Sequence, residues 1–154
     1  MNEIVAIVVG LLLLAALIGL AIAESALNGI SRSRAEALEE DDVPGAAKLV
    51  EALSDRRRLL SPILALSLGS QLALGAIVAT VVADRFGTVW IPLALIFLLA
   101  FMLIVTESVP KAWAQRNIDR AAPQAASFSR AIVAIPPVRW ILAGLGGILS
   151  LIHI

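Results

Sequence analysis

The chain has 154 residues, of which 60% are hydrophobic, and its mean hydropathy is +0.95. This composition excludes an ordinary soluble domain and indicates an integral membrane protein. Lysine and arginine balance aspartate and glutamate, 12 against 12, so the charge gives no indication of a nucleic-acid partner. The chain has no cysteine, which excludes disulfides and thiolate chemistry.

Three apolar segments follow one another along the chain: Ile4–Ala23, Pro62–Ala83 and Thr88–Val105. About 20 helical residues cross a hydrocarbon core that is roughly 30 Å thick. The first two segments are long enough, and the third is long enough if Glu107 lies near the interface. The segments predict an all-α membrane protein with three transmembrane helices and a juxtamembrane or interfacial helix.

The first segment also has to be considered as a signal peptide, because Ala21 and Ala23 flank Ile22 in the A-x-A form of a cleavage site. Signal peptides carry a basic leader before a short apolar region. The leader 1–3 has no lysine or arginine, and the apolar run is longer than usual. We therefore expect an uncleaved membrane helix.

Basic residues are concentrated in the loop 29–61 and in the stretch after Thr106, whereas the turn between the second and third segments holds only Arg85. Short cytoplasmic loops carry the excess of lysine and arginine. The distribution predicts a multi-pass protein of the cell (inner) membrane, with the N-terminus outside and the loop 29–61 cytoplasmic. Trp90 and Trp113, at the two ends of the third segment, are typical of an aromatic belt.

The loop 29–61 predicts two short helices separated by a break. Ser33 and Glu36 form a capping-box pattern, with Ser33 as the N-cap of the first helix. Pro44 and Gly45 indicate the break. Apolar residues at helical spacing then predict the second helix; they are Ala46, Leu49, Val50 and Leu53.

The third segment ends in the group that most strongly indicates ion chemistry, namely Glu107, Pro110 and Lys111. A carboxylate at the edge of a bilayer needs a partner. Proline three residues later has no N–H, so it frees a backbone carbonyl beside that carboxylate. A carboxylate and a free carbonyl suit a hard cation such as Mg²⁺. Glu107 is the leading candidate for an ion ligand, and a structural pair with Lys111 is the alternative.

Further polar residues lie in or at the ends of the other segments. Glu24 and Ser25 end the first segment, where an ion pair between Glu24 and Arg32 is one interpretation of the glutamate. Ser67 and Gln71 are four residues apart in the second segment and therefore share one helix face. Such side chains are candidate ion ligands or simple hydrogen-bonding links between helices, each worth roughly 0.6 kcal/mol and up to about 1–2 kcal/mol.

A fourth stretch, Ala131–Ile152, is long enough to cross but contains two prolines and an arginine. A short interfacial or re-entrant helix suits it better than a crossing, which remains the alternative. The last residues, 149–154, read like a translated sequencing adaptor, so we expect a non-native tail there. The only histidine, His153, lies in this tail.

The order of these features resembles the transmembrane domain (DUF21) of the CNNM/CorC magnesium transporter family over 4–148. The pieces that carry the resemblance are 23–27 (AESAL), 31–36 (SRSRAE), 58–61 (RLLS) and 107–111 (ESVPK), with Ala114 and Asn117 beyond. The resemblance implies a CNNM/DUF21-type domain over 1–148 that forms a homodimer in the bilayer. The pair of CBS modules that usually follows in the family is absent from this chain, which fits a truncated chain.

The resemblance also implies a function and a set of site residues. It implies transport of magnesium coupled to sodium, most simply as efflux, and no enzymatic activity. Glu107 would ligate the ion with oxygens of Ser67, Gln71 and Ser25. Pro110, Lys111 and Glu24 would have structural or gating roles, and the second helix would reorient against the third around Pro110.

The chain departs from the family pattern at three positions. Ala21 stands in place of a serine, and Gln71 stands in place of an asparagine. Ser67 stands where the family commonly has part of a glycine-asparagine pair. Serine oxygens still suit Mg²⁺, but glutamine is one methylene longer than asparagine. A non-transporting membrane anchor or dimerisation module with a degenerate ion site is therefore the alternative function.

Overall fold

The computed structural model describes residues 3–134, and within that range the chain is all-α and has no strand. Three helical segments there are long and apolar enough to cross a membrane, namely Glu3–Gly29, Leu59–Phe86 and Thr88–Arg116, of 27, 28 and 29 residues. The predicted fold class and the three predicted spans are thus confirmed. The predictions for the tail 149–154 and for nearly all of the stretch after Ala131 lie outside the described residues.

The helices follow one another in a simple order. The first span is α1, Glu3–Gly29, and two short helices come next: α2, Arg32–Glu40, and α3, Ala46–Ser54. The second span lies within α4, Arg56–Phe86. The third consists of a 3₁₀ turn, Thr88–Trp90, then α5, Ile91–Met102, a π-helical segment, Leu103–Ser108, and α6, Val109–Arg116. The last described helix is α7, Ile118–Ala134.

The two short helices of the loop form where the sequence predicts them, but the first is capped differently. The N-cap of α2 is Ser31, whose hydroxyl accepts a hydrogen bond from the backbone N–H of Arg34 at 3.2 Å. The prediction of Ser33 as N-cap was therefore wrong by two residues. Glu36 pairs with Arg32 one turn earlier, at 2.9 Å, because i,i+4 positions lie side by side on a helix.

The break between α2 and α3 depends on one glycine. Gly45 has φ +90°, a left-handed conformation that side chains rarely adopt. A Cβ atom there would lie 3.3 Å from Cβ of Pro123 in α7. The turn can therefore pack against α7 only because residue 45 has no side chain. The apolar face of α3 is turned toward the bundle, with Leu49 fully buried.

The packed core lies at the end of the bundle that carries the short helices. We call this region the basal layer, defined as α2, α3, α6 and α7 with the final third of α1. Its buried residues are mostly alanine, which lets helix axes approach closely. Away from this layer the spans expose large apolar side chains, as expected of surfaces that face lipid; examples are Ile7, Leu11, Leu72, Phe97 and Leu99.

The last described helix turns back along the first. A Cβ on Gly29 would lie 3.0 Å from Ile118, at the start of α7, and one on Gly19 would lie 4.0 Å from Phe128 further along it. The part of α7 from Ile118 to Phe128 therefore packs antiparallel to the part of α1 from Gly29 back to Gly19. Small residues face α1 along this contact, among them Ala121 and Ala125. This packing fixes the end of α1 that carries Glu24 and Ser25.

Polar contacts fasten the short helices to the rest of the layer. Arg34 of α2 donates two hydrogen bonds to Asp119 of α7, at 2.9 and 2.7 Å. Arg130 of α7 pairs with Glu51 of α3 at 2.6 Å. Arg56 at the start of α4 donates to the backbone carbonyl of Ile30, at 2.9 Å. The predicted loop is therefore a folded part of the domain.

The Arg34–Asp119 pair is expected to make the thermal stability of the chain depend on pH. The hydrogen bonds from Arg34 lower the pKa of Asp119, so the folded chain keeps this carboxylate ionised where the unfolded chain binds a proton. The stabilising contribution is complete above the ordinary aspartate pKa of about 4 and is lost as the pH falls through the lowered pKa. Asp119→Asn removes this titration, so its thermal stability should fall less steeply than that of wild type below about pH 4.

The pH prediction is tested by thermal melts of the purified chain in lipid nanodiscs over the acid range. Glu36→Gln is the matched control, because it removes a carboxylate whose arginine partner lies within the same short helix. If wild type and Asp119→Asn lost stability in parallel on acidification, the contact would contribute nothing to the fold.

Candidate ion site

The candidate site lies where the third span changes its helical geometry. The segment Leu103–Ser108 is π-helical, a rare form that occurs mostly as single turns inside α-helices and frequently at functional sites. The N–H of Val109 donates to the carbonyl of Ile104, five residues back. Pro110 has no N–H to donate. The carbonyl of Val105 is thereby left without a donor from residue 109 or 110, and it lies two residues before Glu107.

Two hydroxyl groups stabilise the π-helical segment from inside the same span. Thr106 is buried, and its hydroxyl donates to the carbonyl of Met102 at 2.9 Å. The hydroxyl of Ser108 donates to the carbonyl of Leu103 at 2.8 Å. Bonds from serine and threonine to a carbonyl of the preceding turn slightly destabilise and bend an α-helix. Both hydroxyls thus favour the departure from regular α-helix around Glu107.

One lysine lies between two carboxylates from different spans. Nζ of Lys111 is 2.5 Å from a carboxylate oxygen of Glu107, one turn earlier in the same span. The same Nζ is 3.7 Å from a carboxylate oxygen of Glu24 in α1. The side chain of Glu24 is 21% exposed and that of Glu107 is 36% exposed. The structure therefore joins three predicted site residues into one ion cluster.

The partner of Glu24 differs from the one that the sequence suggested. Arg32 pairs with Glu36 in its own helix, and Glu24 pairs with Lys111 instead. The physical reason is that α1 continues helically to Gly29. Glu24 is therefore inside the helix and turned toward α6, whereas Arg32 belongs to the next helix.

Ser25 ties the backbone of the cluster together. It is buried, and its hydroxyl donates to the backbone carbonyl of Lys111 at 3.3 Å. The bond joins α1 to α6 beside the ion cluster. A hydroxyl that donates its proton keeps two lone pairs on oxygen, so Ser25 can still accept or ligate. Pro110 is buried next to this contact.

Ser67 lies on the second span at a depth that matches that of Glu24, and Gln71 lies one turn further from the basal layer. Leu17, Leu74 and Met102 form one buried cluster that joins the three spans. Glu24 lies seven residues after Leu17 in α1, and Ser67 lies seven residues before Leu74 in α4. In both helices this displacement is toward the basal layer. Seven residues are two helical turns, about 10 Å along the axis, and return to the same face.

Among the described residues, no hydrogen bond joins Ser67 or Gln71 to Glu24, Glu107 or Lys111. Both side chains are partly buried, and neither makes a hydrogen bond to another residue in 3–134. The hydroxyls of Thr80 and Ser129, by contrast, bond to carbonyls of their own helices. The oxygens of Ser67 and Gln71 therefore keep their capacity to accept or ligate.

The donor set is unlike that of a preformed metal site. Within residues 3–134 there is no group of three or more histidine, cysteine, aspartate or glutamate residues that could hold a metal ion. The site instead offers one or two carboxylates, neutral hydroxyl and amide oxygens, and a carbonyl. Hard oxygen ligands of this kind suit Mg²⁺ rather than a softer transition metal.

Sequence reasoning did not find the π-helical segment or the link between Glu24 and Lys111. The i,i+4 spacing of Glu107 and Lys111 was a usable signal for their pair. The link to Glu24 depends on how α1 lies against α6, which no local pattern records. Ala21 is buried in α1, so the position that departs from the family pattern serves helix packing here.

The architecture and this cluster define a multi-pass helical membrane protein whose polar residues meet between its spans. The family model for the cyclin M (CNNM) transmembrane N-terminal domain matches residues 6–153, so the chain belongs to that family. This is a transporter-type membrane family and not an enzyme family, and it is consistent with divalent-cation transport. A search of curated proteins gave no significant match.

The hydrogen bond from Ser25 to the backbone of α6 is expected to stabilise the fold. Ser25→Ala removes a hydroxyl that joins two helices and should lower the free energy of unfolding by about 0.5–1.5 kcal/mol. Ser129→Ala is the matched control, since Ser129 is also buried but its hydroxyl bonds within α7. Thermal melts in nanodiscs should show the larger loss for Ser25→Ala. Equal losses would mean that the contact with α6 adds no stability.

Proposed function

We propose that this chain binds a divalent cation, Mg²⁺ above others, at Glu107 and moves it across the membrane. The observation that carries the proposal is the π-helical turn, which brings a carboxylate and a carbonyl without a helical donor together inside a membrane span. Neither group is stable in lipid without a partner. A small cation satisfies both at once.

In this proposal, the ion binds to a carboxylate oxygen of Glu107 and the carbonyl of Val105. The hydroxyls of Ser67 and Ser25 and the amide oxygen of Gln71 supply three more ligands, so that five of the six positions of an octahedral oxygen shell come from the chain, at distances of about 2.1 Å. The Leu17–Leu74–Met102 cluster supports this arrangement, because it joins α1, α4 and the third span two helical turns from Glu24 and Ser67.

As a transporter, the domain moves the ion outward in exchange for sodium, through a homodimer in the cell (inner) membrane whose basal layer faces the cytoplasm. The second span reorients against the third at the π-helical turn and Pro110, where the helical hydrogen-bond ladder is already interrupted. The basic residues of the loop 29–61 support this orientation.

One observation favours a second function, that of a non-transporting membrane anchor with a degenerate ion site. Lys111 already neutralises Glu107 at 2.5 Å, as a purely structural ion pair would. The substituted positions Ala21, Ser67 and Gln71 point the same way. In this account the polar residues hold helices together, and their loss changes stability without any ion-dependent effect.

Transport is tested by Mg²⁺ flux into liposomes that contain the reconstituted chain and a trapped Mg²⁺-sensitive dye. Glu107→Gln keeps the size of the side chain but removes its charge, so flux should fall about tenfold or more. Glu39→Gln removes an exposed carboxylate of α2 and should leave flux unchanged. The oligomeric state of each variant is measured by light scattering.

The same assay separates the two functions. Ser67→Ala and Gln71→Leu should lower flux while the protein remains folded if these oxygens ligate the ion. Flux that is unaffected by Glu107→Gln would contradict transport through this site. A folded wild-type protein with no flux, together with variants that differ only in stability, would establish the anchor function.

A further inference from the structure

We propose that Lys111 is a built-in counter-cation of the ion site. Its ammonium group occupies the place beside Glu107 when no Mg²⁺ is bound, and it moves to Glu24 when the ion arrives. The inference rests on the proposed function, because it states how affinity at that same site is set. Its basis is the position of one Nζ between two carboxylates, 2.5 Å from Glu107 and 3.7 Å from Glu24.

The geometry allows the ammonium group to change partner without a movement of the helices. The backbone of Lys111 is held to α1, since Ser25 donates to its carbonyl. The lysine side chain has a flexible four-carbon stem and three donors that rotate freely. Glu24 already lies within ion-pair distance of the same Nζ, at 3.7 Å. A rotation of the side chain is sufficient for the transfer.

The charges explain why such a group is needed. With the ion absent, two carboxylates and one ammonium leave a single negative charge in excess. With Mg²⁺ beside Glu107 and Lys111 beside Glu24, a single positive charge is in excess. Without the lysine, the empty site would hold two uncompensated carboxylates, which is costly in a membrane span. Lysine therefore stabilises the empty state and weakens ion binding, so that a bound ion can leave.

The expected effect on affinity follows from competition. The apparent dissociation constant equals the intrinsic constant divided by the fraction of molecules in which Glu107 is free. If Lys111 occupies Glu107 in about nine molecules of ten, it raises the apparent constant about tenfold. Glu24 acts in the opposite sense, because it offers the ammonium group another partner and so releases Glu107.

The test is isothermal titration of the chain in lipid nanodiscs with MgCl₂. Lys111→Met should bind Mg²⁺ about tenfold more tightly than wild type, and Glu24→Gln should bind it several-fold more weakly. The double variant should bind as tightly as Lys111→Met, since Glu24 acts only through the lysine. Arg116→Met, which removes an exposed positive charge from the same helix, should change the affinity about twofold at most.

The double variant distinguishes competition from a general effect of charge. If the lysine and the glutamate acted only through their electric fields, their effects would add, and the double variant would return to an affinity near wild type. Lys111→Arg provides a second test that needs no change of charge. Arginine pairs with carboxylates through a planar fork and more strongly, so Mg²⁺ binding should weaken several-fold; an unchanged affinity would contradict competition.

Titration of Glu107→Gln beside these variants distinguishes a failure of the counter-cation role from a failure of the proposed Mg²⁺ binding at Glu107. If Glu107→Gln loses Mg²⁺ binding, the ion site itself is supported. Additive effects in the double variant, or an unchanged affinity in Lys111→Arg, would then overturn only the counter-cation role of Lys111. Wild type that fails to bind Mg²⁺, or binding that survives Glu107→Gln, overturns both. The result for Lys111→Arg decides the matter if Lys111→Met does not fold.

Discussion

The organisation of this domain depends on neutralising charge inside membrane-spanning helices. Glu24 and Glu107 come from different spans, and both reach Lys111. Because an unpaired carboxylate costs about 2.5–3.5 kcal/mol at the centre of a span, and less toward its end, α1 and the third span are favoured to stay together at this point. Ser25 strengthens the same junction through a bond to the backbone. Charge and backbone contacts thus hold one pair of helices at one place.

The third span is made adaptable at that same place. Its π-helical segment and Pro110 interrupt the regular hydrogen-bond ladder, while the basal layer holds the neighbouring end of α1 rigid through the close alanine contacts of α7. A rigid helix beside an interrupted one is an arrangement in which a carboxylate can change partners at small cost. Of the three charged residues, Glu107 is the one that lies in the π-helical segment.

The sequence predicts much of the fold because the determinants are local. Apolar length predicts the three spans, and the spacing of Ala46, Leu49 and Val50 predicts α3. The predicted position of the α2 cap was wrong because only Ser33 fits the capping box, whereas the helix begins after Ser31, which is also a favourable N-cap residue. The link from Glu24 to Lys111 could not be predicted, since it depends on the packing of distant helices. The ligand roles of Glu107, Ser67, Gln71 and Ser25 remain predictions.

The most direct measurement is the position of an ion in a crystal of the chain soaked with Mn²⁺, an anomalous scatterer that stands in for Mg²⁺. Our account predicts one strong anomalous peak inside the spans, about 2.1–2.2 Å from a carboxylate oxygen of Glu107. In the same crystal the ammonium group of Lys111 should have left Glu107 and should contact Glu24. A peak confined to the exposed carboxylates of α2, with Lys111 still paired to Glu107, would contradict the account.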